Sequence, residues 1–505
     1  MTGRRPPASI CILGGGTAGW MAANLLQQRW GAAGTKVSLI ESSAIGIVGV
    51  GEGSTPQLKS FFDTLGIAER DWMPRCNATY KTGIEFIGWS DKPGFERYFH
   101  PFPTEVDGHT APQFVFNTRA RRNGVDLPAH PDPFFLPTAL AHHKLAPIAP
   151  ANFPFEVSYG YHFDAHLVGA YLREVAVARG VEHVDTRIAD VELDEDGNVA
   201  ALVAEDGQRF AADFFLDASG FRARIIEQAL GEPYREFGDN LFNDSAVVTP
   251  TPVSAAGPDD CTRSFAASAG WIWQIPLTNR TGNGYVYSSR YLDPEAAAAE
   301  LRAHCGLAPD AEVRHLKMRV GRMERSWARN CLAIGLAQGF IEPLEATALH
   351  IVLATVGGFM DTVETSGMTA DAQAEFNAHI ARRYDGIRDY IVCHYRTAPR
   401  RDTDYWRDAT SHDHLSDSLK GVMTSWFTGG DLVEEVARQD IASAYTATSW
   451  HCMLAGYGNF PDQARLQPPP PGMTVDMAAI ERFVAGCAMN FPTHSQALGV
   501  LEEAA

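Results

Sequence analysis

Residues 9–41 constrain the fold more than any other part of the chain. Ser9-Ile10-Cys11-Ile12-Leu13 is a short apolar run of the kind that fills a buried parallel strand. Gly14-Gly15-Gly16-Thr17-Ala18-Gly19 follows, then residues 20–26 with helical composition, then a second run from Lys36 to Ile40 that ends at Glu41. Strand, glycine turn, helix and strand within about 35 residues make a βαβ unit. The loop satisfies G-x-G-x-x-G at Gly14, Gly16 and Gly19. The first glycine permits a tight turn, the second lets a diphosphate approach the backbone, and the third lets helix pack on strand. The helix start, with Thr17 and Ala18, offers N–H donors and a positive dipole end. Glu41, about 22 residues past Gly19, is placed to bond a ribose hydroxyl. The pattern predicts a dinucleotide site on an α/β, Rossmann-like sheet.

At 505 residues the chain can bury a large core, and 45% hydrophobic with 20% charged residues is ordinary for a globular protein. Forty-two basic against 61 acidic side chains leave a net charge of −19, which argues against nucleic acid or an anionic membrane as partner. The eight cysteines are scattered with no C-x-x-C pair, and the histidines have no completing ligands at metal spacing, so no metal site is expected. No apolar run approaches a membrane span and no signal peptide is visible, which points to a reduced, cytoplasmic protein.

Farther along, residues 57–65 and 165–179 read as helices, and 191–215 as a small β-meander with turns at Asp196-Gly197 and Asp206-Gly207. Residues 96–155, rich in Pro, His and Phe without a period, read as irregular structure or an insertion. Strands resume near 265–290, a long helix is expected over 344–363, and the remainder is mostly helical apart from the stiff Pro468–Pro471 run. The expected organisation is a dinucleotide-binding domain with a second region interleaved in it over 1–375 (insertions about 96–155 and 231–320), then a helical region over 376–505.

Several segments carry chemistry. The meander ends in Phe214-Phe215-Leu216-Asp217-Ala218-Ser219-Gly220, which resembles the strand re-entering the FAD domain of hydroxylase-like flavoproteins. Cys331-Leu332-Ala333-Ile334-Gly335 resembles their third FAD segment, but Leu336 stands where those hydroxylases carry an aspartate. A second glycine loop, Gly49-Val50-Gly51-Glu52-Gly53-Ser54-Thr55-Pro56, precedes a helix. Lys81 lies in Thr79-Tyr80-Lys81-Thr82-Gly83-Ile84-Glu85, where strand alternation sets it on one face with Gly83 and Glu85. From spacing alone, a solvated Lys81–Glu85 pair is the economical explanation. Gly270-Trp271-Ile272-Trp273-Gln274-Ile275-Pro276 puts two indoles on one strand face, as a core anchor or a cavity wall. In Gly339-Phe340-Ile341-Glu342-Pro343-Leu344-Glu345-Ala346-Thr347-Ala348, Pro343 suits the first turn of a helix and Glu345 could complement its dipole.

Taken in order, these segments resemble the flavin-dependent halogenases of the tryptophan-halogenase family. The resemblance spans about the first 375 residues. It implies a GR2-type FAD-binding domain, an interleaved mixed β-sheet substrate region and a helical C-terminal part. It also implies FAD, arriving as FADH2 from a separate NAD(P)H-dependent flavin reductase, with O2 and chloride or bromide as cosubstrates. In that scheme a flavin C4a-hydroperoxide oxidises halide, and hypohalous acid reaches Lys81, which halogenates an electron-rich arene such as an indole. Glu345 polarises the lysine or takes the arene proton. Backbone at Thr347 and Ala348 holds the halide. Gly14, Gly16, Thr17, Ala18, Gly19, Glu41, Gly51, Gly53, Ser54, Asp217 and Gly335 serve FAD. Trp271 and Trp273 part oxidant from substrate, and His100 and Phe102 wall the arene. The chain departs from the family's Pro-Leu-Glu-Ser-Thr-Gly loop by Ala346 and Ala348, which puts fine positioning in question. An alanine keeps its N–H, so it serves unless the site needs a positive φ. The competing expectations are a flavin monooxygenase that hydroxylates its substrate directly, and a non-catalytic FAD-binding protein.

Overall fold

The computed structural model describes residues 4–44 and 51–504, and divides into two compact units, each built from three chain segments. Unit 1 comprises Met1–Asn77, Phe163–Phe237 and Arg319–Tyr384. Unit 2 comprises Ala78–His162, Gly238–Met318 and Asp385–Ala505.

Unit 1 is organised by a six-stranded sheet in the order Trp327–Ala328, Cys331–Ala333, Phe214–Asp217, Ser9–Leu13, Lys36–Glu41, Glu182–Asp185. All neighbours run parallel except the outermost pair, Trp327–Ala328 with Cys331–Ala333. The near-continuous apolar run at Ile10-Cys11-Ile12 is explained by cover on both faces. Helix Thr17–Trp30 packs on one side with helices Ala165–Ala178 and Ala348–Ser366, and buried Asn24 donates to the Leu172 carbonyl at 2.9 Å. On the other side Cys11, Leu13 and Phe215 meet Ile188, Val199 and Leu202 of a three-stranded antiparallel meander. Its turns place Gly197 and Gly207 at φ of 78° and 85°.

Unit 2 holds a seven-stranded sheet in the order Arg314–Lys317, Ser245–Thr251, Thr281–Tyr287, Gly270–Pro276, Cys261–Ala267, Gly83–Ile87, Arg97–Pro101. It is antiparallel throughout apart from Cys261–Ala267 against Gly83–Ile87. Helix Pro294–His304 covers one face, burying Ala297, Ala298 and Leu301 against Val247, Ile272 and Tyr285. Residues beyond 400 form six helices among the described residues, giving the helical C-terminal part. No helix among the described residues is long and apolar enough to cross a membrane.

Three expectations are corrected. The stretch read as irregular carries strand Arg97–Pro101 and helices Ala111–Arg122 and Leu136–His143. The first of these helices buries Asn117 and Thr118 beside Phe114, and the Asn117 amide donates to the Pro128 carbonyl at 2.7 Å. Buried polar groups erased the apolar period that would have announced it. The helix expected over 344–363 runs Ala348–Ser366; Pro343–Glu345 form a separate 3-10 turn, closed by Ala346 at φ 55°. Lys81 and Glu85 do not share one strand, because the chain breaks at Thr82 into Thr79–Lys81 and Gly83–Ile87, which join different sheets.

Candidate active site

In unit 1 the glycine loop joins the strand Ser9–Leu13 to the helix Thr17–Trp30. Gly14 sits at φ 119°, and a Cβ there would lie 2.2 Å from the Ala218 carbonyl oxygen. A Cβ on Gly19 would lie 2.0 Å from Gly14 O, the close helix–strand approach expected of the third glycine. Around Gly16 the space is open: among the described residues, no atom beyond its chain neighbours lies within 4 Å of its Cβ position. The first intrahelical bond runs from Trp20 N–H to Gly16 O, so the N–H groups of Thr17, Ala18 and Gly19 precede the helical ladder. No acidic residue occupies that first turn. An open glycine beside orphan donors at a positive helix end fits the diphosphate of a dinucleotide such as FAD.

Gly15, the variable position of the motif, proves equally constrained: its Cβ would fall 1.6 Å from Glu41 Oε2. Glu41 closes the second strand, where Oε1 accepts from His183 Nε2 at 2.9 Å and lies 3.7 Å from Arg173 Nη1. Gly335, at φ 58°, would put a Cβ 2.8 Å from that of Ala18, so the third segment meets the loop directly. Asp217 departs from its expected role. Fully buried, it accepts from Ser219 N and Oγ (3.0 and 2.6 Å) through one oxygen and from Ile225 and Ile226 N (2.7 and 2.9 Å) through the other. Its carboxylate braces the turn that carries Ala218 against Gly14. Burial pushes its pKa up against those four hydrogen bonds.

Gly49 and Val50 of the second glycine loop lie outside the described residues. Gly51–Gly53 form a short strand and Ser54 is buried. Glu52 has its pKa pushed up to about 7 by burial, with Asp164 adding to the effect. In the third loop Glu345 is buried, Thr347 has φ −87° and ψ −6°, and Ala348 begins the long helix. Neither Thr347 nor Ala348 needs a positive φ; that demand falls on Ala346, which bears it without being glycine.

In unit 2 Lys81 is fully buried, and its Nζ stands 5.3 Å from the centroid of the Phe102 ring. Glu85 pairs instead with Arg97 (2.5 Å) and Arg263 (3.2 Å), so the solvated Lys81–Glu85 pair does not form. The Lys81 strand is pinned on every side. Thr79 Oγ1 donates to Pro276 O at 2.7 Å and lies 3.0 Å from His162 Nδ1, whose ring meets Thr262 Oγ1 through Nε2 at 2.9 Å. Thr82 donates from N to Asp260 O at 2.8 Å and from Oγ1 to Asp260 Oδ2 at 3.1 Å. The His162 pKa falls well below its usual value, through burial first and then the Lys81 charge. His100 is buried among Phe86, Tyr98 and Tyr390, with Nδ1 3.5 Å from the Tyr390 hydroxyl.

Trp271 and Trp273 are buried at 1% and 6% exposure with ring centroids 6.0 Å apart. Ile272 between them faces the Pro294–His304 helix, so the indoles take the opposite face of the sheet. Trp273 lies across Gly284 of the next strand, where a Cβ would come within 2.1 Å of its Cζ2. Their strand ends at Pro276, the acceptor for Thr79, which ties the indole pair to the strand of Lys81. Sequence reasoning missed Gly15, Gly284, His162, Asp260 and His494. The triple glycine was a readable signal for the first, and Gly284 answers to Trp273 across the next strand of the same hairpin; the others act through contacts remote in sequence.

The sequence profile of the tryptophan halogenase family matches residues 9–467. The tryptophan 6-halogenase of Streptomyces toxytricini is 37% identical over 444 residues, covering 84% of this chain and 84% of its own. The tryptophan 7-halogenase of Lentzea aerocolonigenes is 34% identical over 485 residues, covering 90% of each. Among solved structures, a flavin-dependent halogenase from Xanthomonas campestris superposes with a TM-score of 0.85 at 34% identity, covering 98% of this chain and 99% of that one. The chain therefore belongs to the tryptophan halogenase family, and the enzyme it forms is a flavin-dependent halogenase.

Proposed function

We propose that this enzyme uses FADH2, O2 and chloride or bromide to halogenate an electron-rich aromatic of indole type, with Lys81 delivering the halogen. The observation that carries the reading is Lys81 itself. It is a fully buried amine beside an aromatic ring, on a three-residue strand with hydrogen bonds at both flanks. Burying an amine is costly, and a chain retains such a group where its chemistry is used. Bound FAD, once reduced, supplies with O2 the oxidising equivalent that turns halide into an electrophilic halogen.

The chain's own residues do the rest. The backbone of Gly14, Gly16, Thr17, Ala18 and Gly19 receives the diphosphate, and Glu41 receives a ribose hydroxyl. Gly335, Gly51, Gly53 and Ser54 line the flavin, while Asp217 acts through the turn it braces. The N–H groups of Thr347 and Ala348 hold the halide. Lys81 hydrogen-bonds the halogenating species or carries the halogen as a haloamine. Glu345 is the carboxylate for the proton released when an arene C–H becomes C–halogen. Trp271, Trp273, His100 and Phe102 wall the substrate region. Reduced flavin comes from a separate NAD(P)H-dependent reductase, and the eight free thiols suit a reducing cytoplasm.

The two relatives are named for acting on tryptophan at C6 and C7, so tryptophan joins free indoles as test substrates. With reductase, FAD, NADH and chloride or bromide, mass analysis should find halogenated product. Lys81→Ala should lower that product by about 100-fold or more while flavin oxidation continues. A hydroxylated product formed without halide would overturn the reaction class; halogenation intact in Lys81→Ala would overturn the role of the lysine.

A further inference from the structure

The Lys81 strand has one hydrogen bond that comes from the far end of the chain. Tyr80 faces Tyr161 across the antiparallel pair, yet its N–H turns to the open edge and donates to His494 Nε2 at 3.2 Å. The other nitrogen of that ring, Nδ1, meets the Pro258 carbonyl at 3.0 Å. A carbonyl can only accept, so Nδ1 carries the proton and Nε2 is left as the acceptor. One neutral tautomer therefore satisfies both contacts. Burial lowers the His494 pKa to about 4, which keeps the ring in that form at neutral pH.

The ring is itself held in place. His494 N donates to Lys144 O at 2.8 Å and Ala146 N donates to Pro492 O at 2.9 Å, with Leu145 bridged to Thr493. Residues 492–494 thus form a staple, backbone to 144–146 and side chain to Tyr80 and Pro258. Thr79 on one side is fixed by Pro276 and His162, and Thr82 on the other by Asp260.

We propose that His494 is a positioning residue for Lys81, clamping the peptide just before it so that the buried amine keeps one orientation. The inference rests on the reading of Lys81 as the halogen-delivering group. Displacements of about 1 Å at a reacting group can lower rates by about 100-fold, so a bond one residue from Lys81 has leverage.

The test uses the full-length FAD-loaded enzyme with its reductase, chloride and an indole substrate, and compares three variants. His494→Phe keeps the ring volume and loses both bonds. His494→Asn reaches the Nδ1 position and keeps the Pro258 contact, whereas His494→Gln presents an oxygen near Nε2 for the Tyr80 N–H. The expected result is a kcat lowered about 10- to 100-fold in the Phe and Asn variants, with KM for the arene and the rate of flavin oxidation within about twofold of wild type. Hypohalite escaping to a soluble trap should rise correspondingly, and Gln should recover most of kcat. Wild-type kcat in the Phe variant, or a Gln variant no better than Asn, would overturn the proposal. Should the Phe variant fail to fold, the Gln–Asn comparison decides alone. Lys81→Ala run alongside separates the two readings: halogenation surviving there removes the lysine's role. An inactive Lys81→Ala beside a fully active His494→Phe removes only the clamp.

Discussion

Single side chains, and single missing ones, set the chemistry of both units. Two adjacent glycines make opposite demands. A methyl group on Gly15 would drive into the Glu41 carboxylate, whereas one on Gly16 would meet no other residue among those described. Gly15→Ala should therefore disturb the apoprotein as well as FAD binding. Gly16→Ala should leave the apoprotein's melting temperature unchanged yet weaken FAD affinity by about tenfold or more, because the methyl enters the diphosphate's space. Fluorescence titration with FAD checks this, and undiminished binding in Gly16→Ala would displace the diphosphate from that position. Asp260, fully buried against Thr82, has its carboxyl pKa pushed up from 3.8 to about 7 by burial. Between those values the unfolded chain sheds a proton that the folded protein retains, so stability falls as pH rises from about 4 to 7 and then levels. The loss is on the order of 4 kcal/mol above pH 7. Asp260→Asn keeps the acceptor for Thr82 and removes the charge, so its advantage in urea unfolding should grow from pH 4.5 to pH 8. A pH-independent difference would refute the assignment.

At the level of elements, the glycine-loop βαβ unit, the meander and its two Asp-Gly turns were legible because local composition dictates them. What was illegible had nonlocal causes. The helix Ala111–Arg122 hides its buried side behind Asn117 and Thr118, and the late start of Ala348–Ser366 follows from Ala346 adopting a left-handed conformation alanine seldom takes. In the candidate site, Lys81 and the indole pair were readable as motifs. The Thr79–Pro276 bond that joins their strands was not, since it links residues 197 apart. The indole strand depends in turn on its neighbour, since Trp273 fits only where Gly284 offers no side chain. Gly284→Ala should cost about 1–3 kcal/mol by overpacking and lower halogenation by displacing the indole. Adding Trp273→Phe should recover much of the stability, and a double-mutant cycle measures the coupling. Simple additivity of the two changes would mean that the indole does not rest on that glycine.

For the whole molecule, each unit is assembled from three separated stretches of chain, and the last stretch of unit 2 brings the staple. Ending the chain after Asn490 removes the Pro492 and His494 contacts with Ala146, Lys144, Tyr80 and Pro258. The residues of unit 1 proposed to bind FAD are untouched by that cut. The shortened protein should bind FAD with wild-type affinity while its halogenation falls by about tenfold or more, read by FAD titration and product mass. Retained halogenation would show that the final helix is dispensable to the lysine. The same spacing matters while the protein is being made. Tyr80 and His494 lie 414 residues apart, so at a ribosome's pace of about 5–20 residues per second the lysine's strand waits roughly 20–80 s for its clamp. During that interval the Tyr80 N–H on the strand's edge lacks its acceptor, which leaves the segment around Lys81 an open edge that chaperone cover would shield.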